Sequence, residues 1–137
     1  MDQDQELFVT IQRAADRLIQ EPQALLRSRG LSGPQYNVLR ILRGAQGSLN
    51  CTEIGSRMIN RDPDITRLLD RMEAKGWIER SRDGCDRRVV LASITEAGLN
   101  LLAELDTPIL ECHQRQFAGL DTGTKRLVAE TLKLFTV

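Results

Sequence analysis

The chain has 137 residues, and 19 Lys and Arg balance 19 Asp and Glu to give a formal net charge of zero. With 41% hydrophobic and 28% charged residues, it is expected to bury one core and to form a single domain over residues 1–137. No apolar run approaches the roughly 18 residues that cross a bilayer. The polar, acidic start resembles neither a secretory signal nor a transit peptide, so we expect a cytoplasmic protein.

Few residues of the chain are suited to catalysis or to metal binding. His113 is the single histidine, and the three cysteines (Cys51, Cys85 and Cys112) are widely spaced without a Cys-x-x-Cys pair. That spacing gives little support to a zinc site or a disulfide framework. The sequence also lacks a Ser/His/Asp arrangement, a phosphate-binding glycine loop and a nucleotide signature. We therefore predict that the chain is not an enzyme and has no catalytic residues, no metal and no cofactor.

The first part of the chain has the apolar spacing of helices. Residues 5–29 follow a helical period, and Pro22 is expected to kink or break this helix in its second half. A second helix begins near Ser32 with a capping-box pattern over residues 32–35. Gly44 and Gly47 are expected to end it.

Two shorter helices follow. Asn50 begins a second capping-box pattern, in a helix that reaches about Ile59. Asp62 is expected to cap the next helix, because Pro63 then falls at the first helical position, where its missing amide costs nothing. The buried side of this helix is predicted to consist of apolar residues at helical spacing: Ile65, Leu68, Leu69 and Met72.

After Gly76, which ends that helix, the pattern becomes extended. Residues 77–82 and 87–94 are predicted strands, and Asp83-Gly84 is a turn dipeptide between them. Thr95 is expected to cap a long helix that bends at Thr107-Pro108 and is broken by Gly119. Asp121 is expected to cap the last helix.

Two short helices, a turn, a third helix and a hairpin are the layout of a winged helix-turn-helix. The third helix of such a unit enters the DNA major groove. Arg67 on its polar side is suited to a guanine edge, and Thr66 to a thymine methyl or a phosphate. A flexible arginine near the hairpin tip reaches a minor groove. The alternative is a solvated helix face whose arginines pair with Asp64 or Asp70.

The same region resembles a known family. Residues 65–80, ITRLLDRMEAKGWIER, and residues 86–98, DRRVVLASITEAG, are similar to the multiple-antibiotic-resistance regulator (MarR) family. The wing signature of that family is Asp-x-Arg followed by a strand ending in Leu-Thr, and this chain ends the strand in Ile94-Thr95 instead. The resemblance implies a mainly α (α+β) fold. In it, a winged helix-turn-helix region at residues 31–95 joins a helical dimerisation region formed by residues 1–30 and 96–137.

The resemblance also implies roles for individual residues. Arg88, oriented by Asp86, would enter the minor groove, and Arg87 would contact a phosphate. Asp64, Thr66 and Arg67 would face the major groove, although Asp64 is equally explained as a helix-end carboxylate without a DNA role. The predicted DNA-binding residues are Asp64, Thr66, Arg67, Arg71, Asp86, Arg87 and Arg88.

The function that the resemblance implies is a transcriptional repressor. It would bind a pseudo-palindromic operator in double-stranded DNA as a homodimer and be released by a small, often phenolic or anionic, effector. One alternative is a redox sensor, since Cys51 lies at a helix start and Cys85 in an arginine-rich wing tip. The peroxide-sensing branch usually carries its cysteine in the first helix, where this chain has none. Another alternative is a winged-helix protein-interaction module without DNA binding.

Overall fold

The computed structural model describes residues 2–136. Its contacts divide the chain into two compact units, of which one is Gln23–Asp106 and the other combines the residues up to Pro22 with those from Thr107 onward. Within residues 2–136 the helices and strands are, in chain order, α1 (Gln3–Arg27), α2 (Gly33–Ala45), β1 (Leu49–Asn50), α3 (Cys51–Arg57), α4 (Ile65–Ala74), β2 (Ile78–Arg82), β3 (Val90–Ile94), α5 (Glu96–Gln116) and α6 (Thr122–Lys133).

The unit Gln23–Asp106 contains a winged helix-turn-helix. Helices α2, α3 and α4 accompany an antiparallel sheet in the order β1-β3-β2, so the fold is mainly helical with a small sheet, as predicted. β2 pairs with β3 from Ile78 opposite Ile94 to Arg82 opposite Val90. Strand β1 was not predicted, because two residues are too few to give an alternating pattern.

The core of this unit is aliphatic and follows the predicted helical spacing. Each helix buries one side, and the two strands of the hairpin each contribute a side chain. Side chains that are buried here include Val38, Leu39, Leu42, Ile54, Leu69, Met72, Ile78, Ala92, Leu102 and Leu105.

Both predicted capping boxes are confirmed. The Gln35 amide donates to Ser32 Oγ at 3.2 Å, and the Ser32 amide donates to Gln35 Oε1 at 2.9 Å. The same reciprocal pair joins Asn50 and Glu53, at 2.8 and 3.1 Å. These bonds satisfy amides that have no partner within the helix, and so they fix where α2 and α3 begin.

The predicted start of the fourth helix is wrong by two residues. α4 begins at Ile65, and its N-cap is Asp64, whose Oδ1 accepts the Arg67 amide at 3.0 Å. Asp62 instead accepts the Asp64 amide at 2.8 Å and shapes the preceding turn. Both aspartates have the right chemistry, but only Asp64 directly precedes the first helical residue, which places its carboxylate at the amide of the third helical residue, Arg67.

Other predicted boundaries also need correction. α2 continues through Gly44, and Gln46 takes the left-handed conformation at its end with a φ of 54°. α3 ends at Arg57, short of Ile59. α1 is one helix across Pro22, so the predicted break does not occur. α5 continues through Pro108, where a bend and not an end was predicted.

The hairpin loop is longer than the turn dipeptide Asp83-Gly84 suggested. The strands leave residues 83–89 between them, and the Asp83 amide donates to the Val89 carbonyl at 2.9 Å across the base of this loop. Thr95 caps α5 as predicted, because its Oγ1 accepts the Gly98 amide at 3.1 Å.

The second unit leaves much of its apolar surface exposed. Phe8 of α1 is 62% exposed and Leu127 of α6 is 67% exposed, and α6 buries no side chain among the described residues. Asp121 caps α6 as predicted, accepting the Thr124 amide at 2.7 Å. Within residues 2–136, no helix combines the length and apolarity that a membrane crossing requires.

Candidate DNA-binding surface

Helix α4 is the candidate recognition helix, the one that would enter the major groove, and it is amphipathic. Leu68, Leu69 and Met72 are its buried residues. Thr66 and Arg67, in its first turn, are exposed on the other side. Arg71 is exposed as well and lies four residues after Arg67, so the two arginines share one face of the helix.

The arginines of that face are not paired with its acidic residues. Asp70 binds Arg80 of β2, with Oδ1 2.6 Å from Nη2, and Arg80 also binds Glu73 at 2.9 Å. Neither Arg67 nor Arg71 forms an ion pair within residues 2–136. The structure therefore does not contain the alternative arrangement, in which these arginines pair with Asp64 or Asp70.

Arg80 was not among the predicted site residues. Its importance follows from the packing of β2 against α4, which brings it next to two carboxylates that lie three residues apart on the helix. The Arg80 guanidinium donates to Glu73 and holds the pKa of that carboxyl below its usual value. A basic residue shortly after a helix that carries two acidic residues on one side is the signal available in the sequence.

The wing consists of β2, β3 and the loop 83–89 between them. It exposes Arg88 to solvent while Asp86 holds the Arg88 guanidinium. Asp86 Oδ1 lies 3.1 Å from Arg88 Nε, and Oδ2 lies 3.2 Å from Nη2. Asp86 Oδ1 also accepts the Arg88 amide at 3.0 Å. These hydrogen bonds lower the pKa of Asp86. The Arg88 side chain is nevertheless 92% exposed, and neighbouring Arg87 is exposed too.

The three cysteines are free thiols in different environments. Cys51 is half-buried at the start of α3, and Cys85 is exposed in the wing loop. Cys112 is buried, and this burial raises the pKa of its thiol, together with a hydrogen bond to Glu21. No group of three or more potential metal-binding side chains comes together in the part of the chain that the structure describes.

A shallow groove lies beside the C-terminal end of α4. Arg71, Ala74 and Lys75 line it on the α4 side, and Arg27 and residues 30–32 line it on the other. Its lining residues include three cations and no carboxylate. Lys75 Nζ donates to the Gly30 carbonyl at 2.8 Å, which links the two sides.

Comparison with known proteins gives a consistent result. Residues 31–90 match the MarR family. The chain is similar to the HTH-type transcriptional regulator TtmR of Methylorubrum extorquens, with 36% identity over 75% of this chain and 52% of that protein. It therefore spans about half the length of that relative. It is also similar to the HTH-type transcriptional repressor IacR of Pseudomonas putida, with 31% identity over 82% of this chain and 67% of that protein.

A solved structure matches over almost the whole chain. The MarR transcription factor from Planctomyces limnophilus is 33% identical, with a TM-score of 0.76 and 98% of each chain covered. Its extent includes α1, α5 and α6 as well as the winged helix-turn-helix. Taken with the family match over residues 31–90, this identity and coverage establish that the chain belongs to the MarR family of transcriptional regulators.

Proposed function

We propose that the chain is a repressor that binds double-stranded DNA as a homodimer at a pseudo-palindromic operator. The observation that carries the proposal is the pair of exposed arginines, Arg67 and Arg71, which no carboxylate of the described residues neutralises on the outer face of α4. Cations left free on a helix of major-groove dimensions are suited to phosphates and base edges.

Each residue has a proposed role that its position supports. Arg67, in the first turn, would donate to a guanine edge through both arms of its guanidinium, and Thr66 beside it would contact a thymine methyl or a phosphate. Arg71, one turn further on, would contact a phosphate. On the wing, Arg88 would enter the minor groove while held by Asp86, and Arg87 would contact the backbone.

Asp64 lies at the same end of α4. Its Oδ1 is occupied by the Arg67 amide. We propose that its main contribution is this cap, which fixes the first turn of α4 and hence the position of Arg67. A base contact through Oδ2 stays a prediction that a variant separates from the cap.

The exposed apolar surface supports a homodimer. Phe8 and Leu127 are each more than half exposed, and Phe135 is 73% exposed. Removing apolar surface from water stabilises by roughly 25 cal/mol per Å², so a second copy covering these faces is the economical explanation. Dimers of helix-turn-helix proteins bind half-sites one helical turn apart, which gives a pseudo-palindrome.

We further propose that a small anionic effector releases the DNA. The groove lined by Arg27, Arg71 and Lys75 supplies cations without a competing carboxylate. An anion bound there would engage Arg71, which the DNA complex uses, so effector and DNA would compete for one side chain. The supporting measurement is release of bound duplex by benzoate, an aromatic carboxylate, with benzamide of the same shape as the uncharged control.

The proposal is tested by selecting bound fragments from the source genome and titrating the recovered duplex with protein at several salt concentrations. We expect one dimer per site by sedimentation, and an affinity that falls steeply as salt rises. A monomer at micromolar concentration, or binding without salt dependence, would overturn it. Absence of any bound fragment would favour the protein-interaction module instead.

The redox alternative is tested on the same duplex. Cys85 is exposed in the wing loop and Cys51 is half-buried. We expect the Cys51→Ser and Cys85→Ser variants to bind as the wild type does, and hydrogen peroxide to leave the complex intact. Release of wild-type protein by peroxide, abolished in either variant, would establish a redox input.

A further inference from the structure

We infer that Arg80 is a positioning residue for DNA reading, because it holds the carboxylate of Asp70 away from Arg67. The inference rests on the proposed function and concerns how Arg67, on the outer face of α4, is kept free to bind DNA. Arg80 belongs to strand β2, not to the recognition helix, and it is only 23% exposed, so its effect would be exerted through its partners.

The contacts of Arg80 have two separable parts. Its guanidinium Nη2 lies 2.6 Å from Asp70 Oδ1 and 2.9 Å from Glu73 Oε1. Its main-chain amide also donates to Glu73 Oε2 at 3.0 Å. A variant that lacks the guanidinium keeps the second contact, which fastens the start of the wing to α4. The side chain can therefore be tested without removing that anchor.

The helix geometry explains why Asp70 needs a partner. Asp70 follows Arg67 by three residues, and side chains at this spacing are neighbours on a helix surface and pair when their charges are opposite. A free Asp70 carboxylate would thus compete with DNA for the Arg67 guanidinium. It would also present a negative charge to the phosphates.

Arg80 prevents both effects at once. Pairing with the guanidinium neutralises Asp70, and the 2.6 Å contact turns its carboxylate toward β2. Arg67 then makes no ion pair among residues 2–136. The wing therefore contributes to DNA binding in two ways, through Arg88 in its loop and through Arg80 on β2.

The experiment compares wild type with Arg80→Met, Arg80→Met/Asp70→Asn and Arg80→Met/Glu79→Gln on the selected duplex. We expect Arg80→Met to weaken binding about fivefold, from competition plus repulsion. Asp70→Asn should restore affinity to within about twofold of wild type. Glu79→Gln removes an equal charge from an exposed residue of β2 that makes no ion pair within the described residues, and it should restore little.

Three results would overturn the inference: unchanged binding by Arg80→Met, equal rescue by the two second substitutions, or no rescue by either. The last would assign Arg80 a direct DNA contact or a purely structural role. Thermal unfolding of each variant shows whether weaker binding comes from loss of the fold. Because both double variants carry Arg80→Met, a difference in binding between them is due to the second substitution.

A second readout needs no DNA. The Nε–H signal of Arg67 in a nitrogen-edited NMR spectrum should become protected from solvent exchange in Arg80→Met and lose that protection when Asp70→Asn is added. An unprotected signal in Arg80→Met would overturn the inference even if the protein binds DNA. If wild type binds no duplex while this signal behaves as expected, the proposed function is wrong, but the inference that Arg80 keeps Asp70 from pairing with Arg67 is supported.

Discussion

The carboxylate of Asp86 holds the guanidinium of Arg88 at 3.1 and 3.2 Å while the Arg88 side chain stays 92% exposed. An arginine free in solvent samples many rotamers, and ordering it on binding costs free energy. The Asp86 contact restricts that freedom in advance, so the wing presents an oriented cation.

Asp86→Asn separates orientation from charge. If Asp86 only repels phosphates, removing its charge should tighten binding. We expect the opposite, a loss of about two- to fivefold, because the amide no longer holds Arg88 through two charged hydrogen bonds. Fluorescence anisotropy on the selected duplex measures it, with Asp83→Asn in the same loop as a charge-matched control. Tighter binding by Asp86→Asn would refute the orienting role.

Asp64 is tested by two substitutions that differ in capping. Asp64→Asn keeps a side-chain oxygen for the Arg67 amide, so we expect unfolding to be unchanged and the duplex to be bound at least as tightly as by wild type. Asp64→Ala removes the cap and should lower stability by about 1 kcal/mol. Denaturant unfolding and binding to single-base-pair variants of the duplex are the measurements. Loss of discrimination at one base pair in Asp64→Asn would show that Asp64 reads a base.

Glu73 predicts a pH dependence of stability. Its pKa lies below the usual 4.5, mainly because the Arg80 side chain donates to it. The folded chain thus holds this proton less tightly than the unfolded chain, and the stabilisation is complete above about pH 4.5 and is lost as the pH falls through the folded value. The difference in unfolding free energy between wild type and Glu73→Gln should shrink on acidification. A difference in unfolding free energy between the two proteins that stays constant from about pH 6 to about pH 3 would contradict this prediction.

Gly98 is expected to be intolerant of a side chain. A Cβ there would lie 2.5 Å from the Trp77 carbonyl oxygen and 2.7 Å from Ile94 Cγ1, at the base of the wing. Gly98→Ala should lower the free energy of unfolding by about 1–3 kcal/mol. At Gly44, inside α2, a Cβ would meet no atom within 4 Å. Gly44→Ala should raise stability by about 0.5–1 kcal/mol, and a similar gain in Gly98→Ala would refute the close approach.

Local patterns predicted most of this fold. The capping boxes at Ser32 and Asn50, and the apolar stripe of α4, depend on residues within one or two turns. Both capping boxes were found, and the stripe was found except that Ile65 is only half-buried. The start of α4 was misplaced because two aspartates compete for the cap and only backbone geometry decides between them. The pairing of Arg80 with Asp70 joins a strand to a helix, so it depends on packing that no local pattern specifies.

Whether α4 binds DNA bases through Arg67 is tested most directly by Arg67→Ala, compared with Arg126→Ala on the selected duplex. Arg126 is also exposed and makes no ion pair within residues 2–136, but it lies on α6. Because α6 belongs to the proposed dimer contact, sedimentation must first show that Arg126→Ala is still a dimer. A bidentate contact to guanine is worth about 1–3 kcal/mol of discrimination. We expect Arg67→Ala to lose about tenfold or more in affinity, together with the preference at one guanine, while Arg126→Ala keeps both. Equal binding by wild type and Arg67→Ala, with the guanine preference intact, would contradict it.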